Sequence, residues 1–164
     1  MDTAAFSTYY HSPVGYLRIE GNDEAILGVS FCENPGPVAI NVPAPGQLCI
    51  RQLQEYFEGT RKVFDLPLNP AGTAFQQQVW QNLKQIPYGK TCSYLEVARA
   101  VSGEKAIRAV GAANGRNPLC IIVPCHRVIG SDGSLTGYAG GLWRKEWLLR
   151  HEGVLQSAQQ LSFF

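Results

Sequence analysis

"SYLEVARAVSGEKAIRAVGAANG", residues 93–115, places a short helical pattern on either side of a polar turn. Leu95, Val97 and Ala98 set the period of the first segment, Gly103 sits in the turn, and Ile107, Val110 and Gly111 set the period of the second. Two short helices joined by a tight glycine-containing turn form a helix-turn-helix, a pattern that ordinary helical hairpins share. The second segment is nearly bare: apart from Ile107 and Val110 its side chains are small, and Arg108 is its one charged residue. Such a face suits close approach, either to another helix or to a narrow DNA groove. On the second reading Arg108, Ala109, Ala113 and Asn114 contact DNA.

Upstream, "AFQQQVWQNLKQI" (residues 74–86) carries Phe75, Val79, Leu83 and Ile86 at near-helical spacing, with Thr73 as its cap and "PYG" as its stop. Before it, "LPLNPAGT" reads as a linker because two prolines and a glycine follow the last strand signal. The first 31 residues form a β-meander: "AFSTYYH", "YLRIE" and "AILGVSF" are separated by turns at "SPVG" and "GNDE". "QLCIRQLQEYFEG" then sets Cys49, Leu53, Tyr56 and Phe57 on one helical face and ends in Gly59, and "KVFDLPL" returns to the sheet. The reading predicts an α+β protein. Residues 1–70 form an N-terminal antiparallel β-meander α/β domain, and residues 71–164 form a C-terminal helical, helix-turn-helix (winged-helix-like) domain.

Downstream, "IIVPCHRVIG" (residues 121–130) is the chemically unusual stretch. Pro124 ends a short strand "CIIV" and leaves Cys125 where the chain turns. A lone cysteine is ordinarily a small core residue. A nucleophilic one needs a base or positive charge nearby, because an unperturbed thiol, with a pKa of about 8.5, is mostly protonated at neutral pH. His126 and Arg127 supply both. Adjacent residues point apart in extended chain, so a water would link His126 to the sulfur, and an acid would orient the imidazole from its far side. Glu152, at the end of a helix anchored by Leu142, Trp147 and Leu148, is the favoured acid, with Glu146 and Glu104 as alternatives. Asn117, before a proline, is either an ordinary turn residue or the brace of the turn that presents Cys125. "GSDGSLTGYAGG" (residues 130–141) is a hairpin turn followed by a glycine-rich loop with Tyr138 as its large residue, suited to shaping a pocket for a flat ligand.

Composition limits the function classes. With 45% apolar and 16% charged residues the chain has enough apolar matter for a core. No apolar run approaches the length of a membrane span, and the N-terminus is acidic where a signal peptide is basic, so a cytoplasmic protein without membrane contact is expected. Five scattered cysteines with no CxxC pair argue against a disulfide framework and against zinc. Residues 1–89 hold 5 Lys and Arg against 8 Asp and Glu, and residues 90–164 hold 9 against 5. The positive field thus lies on the half with Cys125, which fits a nucleic-acid partner.

Together "RAVGAANGRNP", "IIVPCHRVIG", "TGYAGG" and "RKEWLLRHEG" strongly resemble the O6-alkylguanine-DNA alkyltransferases, in order and spacing over roughly residues 73–153. The N-terminal half resembles that family only in length and meander pattern. The resemblance implies direct-reversal repair: irreversible transfer of the alkyl group from O6-alkylguanine in DNA to Cys125, once per molecule, with O4-alkylthymine as a second candidate substrate. It implies that the helix-turn-helix enters the minor groove of double-stranded DNA and that Arg108 fills the gap left by a flipped nucleotide. It assigns Tyr94 to hydrogen-bond the guanine, Tyr138 with Ala139 and Gly140 to the loop that closes over it, and Val128 to offer a backbone carbonyl. Cys125, His126, a water and Glu152 match the proton relay, and Asn117 the brace. Where some members carry a serine after the pocket tyrosine this chain has Ala139, leaving only a backbone N–H there. No metal, no cofactor and a monomer are expected. Two rivals differ in kind. A cysteine hydrolase would turn over a small acyl ester steadily, and a non-catalytic DNA-binding module or damage sensor would not need Cys125.

Overall fold

The computed structural model describes residues 5–154. The first four residues, and 155–164 at the end of the expected C-terminal domain, lie outside the described part. The chain divides into two compact units, one built from the residues up to Ala71 together with Pro118–Ile122, the other from Gly72–Asn117 and the residues from Val123 onward.

In the first unit three strands, β1 (Phe6–Ser12), β2 (Gly15–Gly21) and β3 (Ile26–Cys32), form an antiparallel sheet in the order β1-β2-β3. Both expected turns are present. Ser12 Oγ accepts from Val14 N–H and donates to the Gly15 carbonyl, and Asn22 Oδ1 accepts from the amides of Glu24 and Ala25. A register shift at Glu20/Gly21 brings Gly21 so near the Ala25 carbonyl that a Cβ there would stand 2.5 Å from its oxygen. Helix α1 (Ala44–Glu58) packs on all three strands, burying Cys49, Leu53 and Tyr56, and Gly59 caps it at φ 85. The stretch 62–68 is not the strand expected of it. Its share in the sheet is one parallel bridge, Leu68 to Ile26, because Gln52 on α1 holds the Asp65 backbone through two hydrogen bonds and draws the chain away.

The segment 120–123 also departs from expectation. Leu119 makes a single parallel bridge to Val29, after which Ile121 takes φ 73, a left-handed conformation that a β-branched residue adopts only where its surroundings force it. The apolar run fills a core as a buried turn rather than as a strand. Val29 donates to the Pro118 carbonyl and accepts from Cys120 N–H, and Ile122 N–H turns back to the Cys120 carbonyl.

The second unit is mainly helical. Helix α2 (Ala74–Leu83) starts at a complete capping box in which Thr73 and Gln76 each satisfy the other's amide, and it ends a turn before Pro87. Ser93 and Glu96 repeat that device at α3 (Tyr94–Val101). A short 3₁₀ turn (Glu104–Ala106) then leads into α4 (Ile107–Gly115), and α2, α3 and α4 pack on one another. Two-residue strands β4 (Cys92–Ser93) and β5 (Val128–Ile129) pair in parallel, and α5 (Leu142–His151) closes the unit. Its anchors are Lys145, Leu148 and Leu149; Leu142, expected among them, is exposed, and Trp147 is half-buried. No helix among the described residues is long and apolar enough to cross a membrane.

Candidate active site at Cys125

Cys125, His126 and Arg127 form one turn of 3₁₀ helix between Pro124 and β5, and all three are buried. The turn is held from the end of α4 and the residues just past it. Asn117 Nδ2 donates to the Val123 carbonyl at 2.8 Å, bracing the two ends of the 118–122 excursion, and Asn114 Nδ2 reaches the Cys125 carbonyl at 3.4 Å.

Glu152 lies at the C-terminal cap of α5, fully buried, and is the acid that meets His126, at 2.8 Å from Oε2 to Nε2. The alternatives are engaged elsewhere, Glu146 with Arg150 and Glu104 with Arg99. Arg127, read from sequence only as a nearby charge, grips the same carboxylate twice, Nε to Oε1 at 2.8 Å and Nη2 to Oε2 at 3.1 Å, and donates a third bond to the Ile86 carbonyl. The "PYG" that stops α2 joins this cluster: Gly89 N–H donates to Glu152 Oε1 at 3.4 Å, and the Arg127 guanidinium lies 5.8 Å from the Tyr88 ring centroid.

The protonation states follow from these contacts. Burial pulls the His126 imidazole below its ordinary 6.5, against the raising effect of Glu152, and leaves it neutral. Burial pushes the Glu152 carboxyl up, but hydrogen bonds and charge from His126 and Arg127 outweigh it and hold it well below the usual carboxylate range. With the imidazole neutral, Arg127 is the charge that keeps Glu152 ionised. A neutral His126 donating Nε2–H to Glu152 carries its lone pair on Nδ1, which is buried and has no hydrogen-bond partner among the described residues. The arrangement therefore has a base beside a thiol.

Tyr94 opens α3 half-buried, and its hydroxyl donates to the Thr136 carbonyl at 3.0 Å and more weakly to Gly137 at 3.4 Å. Burial raises its pKa, opposed by the Thr136 bond and reinforced by Cys125. Thr136 begins the glycine-rich loop, where Gly137 and Gly141 take φ 60 and 95, so side chains at either would strain it. On that loop Tyr138 is half-buried, Ala139 exposed and Gly140 intermediate, and Val128 on β5 is buried. Sequence reasoning missed Lys145. It is wholly buried on α5 and donates from Nζ to the same Thr136 carbonyl at 2.8 Å; the only sequence signal was a lysine at a core-facing position of the helix.

On α4, Arg108 and Ala109 are exposed. Ala113 and Asn114, expected at the DNA face, are buried instead at 3% and 2% exposure. They occupy the helix's inner face, where Trp80 of α2 donates to the Ala113 carbonyl and Asn114 points at the cysteine turn.

Known proteins resemble the chain along most of its length. Residues 6–70 match the ribonuclease-like domain of 6-O-methylguanine DNA methyltransferase, and residues 74–154 match its DNA-binding domain. A methylated-DNA–protein-cysteine methyltransferase of Methanosarcina acetivorans is 48% identical over 151 residues, covering 88% of this chain and 96% of that protein. One from Haemophilus influenzae is 42% identical over 158 residues, covering 93% and 88%. Among solved structures, the Mycobacterium tuberculosis O6-methylguanine methyltransferase superposes with a TM-score of 0.81 at 41% identity, covering 93% and 95% of the two chains. The same organism's OGT in complex with DNA gives 0.79 at 44%, covering 89% and 91%. By both of its domain matches and by these full-length relatives, the chain belongs to the 6-O-methylguanine DNA methyltransferase family.

Proposed function

We propose that this enzyme repairs O6-alkylguanine in double-stranded DNA by moving the alkyl group onto Cys125, each molecule reacting once. The observation that carries the assignment is the buried His126–Glu152 hydrogen bond of 2.8 Å one residue from that cysteine, with Arg127 balancing the carboxylate. His126 Nδ1, acting through a water, takes the thiol proton; Glu152 fixes the tautomer that makes this possible. The thiolate attacks the alkyl carbon, the C–O6 bond breaks with its electron pair on guanine, and a proton from a donor such as Tyr94 neutralises the leaving base. The product thioether offers water no carbonyl to attack, so the cysteine is not regenerated.

The remaining roles follow the same logic. The C-terminal domain, residues 71–164, carries the chemistry, and α4 lies in the minor groove with Arg108 filling the space of the flipped nucleotide. The base enters beneath the loop of Tyr138, Ala139 and Gly140, where Val128 offers its carbonyl and the Tyr94 hydroxyl turns from Thr136 to the guanine. Asn117 keeps the cysteine turn in place. The protein acts as a monomer in the cytoplasm, and O4-alkylthymine is a second substrate to be tried.

Intact mass after mixing with a duplex containing O6-methylguanine tests the reading. One added methyl per chain, mapped to Cys125, is expected, and Cys125→Ser should lose transfer while still binding DNA. Methyl on Cys120 or Cys92, or continued turnover, would overturn it.

A further inference from the structure

We propose that Arg144, covered by Trp143, is a specificity-determining residue: its guanidinium pins the loop that closes over the lesion and so restricts the alkyl groups that the pocket admits. The inference rests on the reading of residues 136–141 as that loop and of Cys125 as the alkyl acceptor.

The first turn of α5 carries the wrong charge for a helix N-terminus. It holds no acidic residue and two adjacent cations, Arg144 and Lys145, which the positive end of the helix dipole disfavours. Both side chains reach back to the loop before the helix. Arg144 Nη1 donates to the Gly140 carbonyl at 2.9 Å, and Lys145 Nζ donates to the Thr136 carbonyl at 2.8 Å. The helix has no use for the first of these bonds, because the Gly140 carbonyl lies outside its ladder and the amides of Arg144 and Lys145 bond to the Gly141 carbonyl instead. The loop does need it. Gly137 and Gly141 take φ 60 and 95, positions where glycine lets the chain swing, and Tyr138 and Ala139 stand between them. Trp143 completes the clamp. Its ring centroid lies 4.6 Å from the guanidinium carbon, and its Cδ1 comes so near Gly141 that a Cβ there would stand 3.4 Å away. At 54% exposure this tryptophan adds little to a core; what it does is cover one face of the guanidinium, which keeps water off and strengthens the bond to Gly140.

The two anchors fare differently when the base enters. Thr136 has two donors, Lys145 and the Tyr94 hydroxyl, and the second leaves it for the guanine. Gly140 keeps Arg144 throughout. The rear of the loop therefore holds its height over the bound lesion, which suits a methyl group and opposes the lift that a benzyl ring would require. Without Arg144 the loop is free to rise about its two glycines, and the penalty on the larger group falls.

Competition between duplexes of one sequence containing O6-methylguanine or O6-benzylguanine, read by intact mass as the ratio of benzyl to methyl adduct, tests this for wild type, Arg144→Met and Trp143→Ala. Both duplexes meet the same protein surface, so a change in DNA affinity cancels in the ratio. Arg144→Met keeps an apolar stem and loses the donor; it should raise the ratio about tenfold, the order expected for one hydrogen bond from a charged group. Trp143→Ala keeps the bond but uncovers it, and should raise the ratio on the order of threefold. A ratio that stays at the wild-type value in Arg144→Met, or moves toward methyl, would end the proposal. Equal slowing on both duplexes is what an arginine on a DNA phosphate, or a damaged fold, would give. Should Arg144→Met fail to fold, Trp143→Ala, altered at an exposed position, decides by the same criterion. Peptide mapping separates the two readings: an adduct outside Cys125 defeats the acceptor assignment whatever the ratio, and an adduct on Cys125 with an unmoved ratio defeats the clamp alone.

Discussion

Arg127 has the clearest consequences at the scale of single residues. Its guanidinium is the charge opposite a carboxylate that is wholly out of water. Removing one member of such a pair strands the other, at a cost of about 3–5 kcal/mol. Arg127→Met should lose that much in urea unfolding, and adding Glu152→Gln should restore part of it by removing the stranded charge; a single-variant loss below about 1 kcal/mol would mean that Glu152 is balanced elsewhere. His126 is different, because it is neutral and its loss strands no cation. His126→Ala should slow methyl transfer by roughly 10²- to 10⁴-fold, the range for loss of a general base, with the rate recovering as pH rises. A pH-independent deficit would assign the imidazole to packing.

At the scale of elements, α4 serves two surfaces. Its outer face presents Arg108 and Ala109, and its inner face reaches the cysteine turn through Asn114 and, just past its end, Asn117. Arg108→Ala should slow repair of duplex DNA while leaving reaction with the free base O6-benzylguanine unchanged, because a free base needs no flipping. An arginine that only bound phosphate would instead weaken all DNA binding and lower its salt dependence by about one charge. Equal loss on both substrates would point to a damaged pocket. The two helices α3 and α4 were legible from spacing because their apolar period is local. The false strands at 62–68 and 120–123 were read by the same logic and failed, since Gln52 and Val29, far away in sequence, decide what those backbones bond to.

Across the whole molecule the buried ionisable groups set the pH dependence of stability. His126 and Glu152 have folded pKa values below their ordinary 6.5 and 4.5, so the unfolded chain binds more protons in acid and stability is lost as pH falls through 6.5 and again through 4.5. Lys145, brought down from 10.5 to about 8, makes stability rise with pH above 8. Cys49, buried in the first unit and pushed from 9.0 up to about 12, cancels that rise above 9 because the unfolded thiol ionises first, and the slope turns negative only above 10.5. Urea unfolding should therefore give a plateau of greatest stability between about pH 9 and 10.5 and a clear loss by pH 5. Equal stability at pH 5 and 8 would contradict the neutral, buried His126.

The sequence by itself determined the periodic and the nearest-neighbour features: the meander, the capped helices, the small-residue helix α4, and a cysteine set between a proline and a histidine. These depend on contacts within a few residues, where spacing is geometry. Tertiary structure alone decided which acid met His126, that Arg127 and Gly89 shared its carboxylate, that Ala113 and Asn114 faced inward, and that Lys145 stood buried against Thr136 and Tyr94. Each of those facts joins segments about 9 to 63 residues apart or depends on which side of a helix is covered. Local pattern carries no record of such distances, because the energy that selects them is that of burying a charge or a polar group beside its partner once the chain has closed around both.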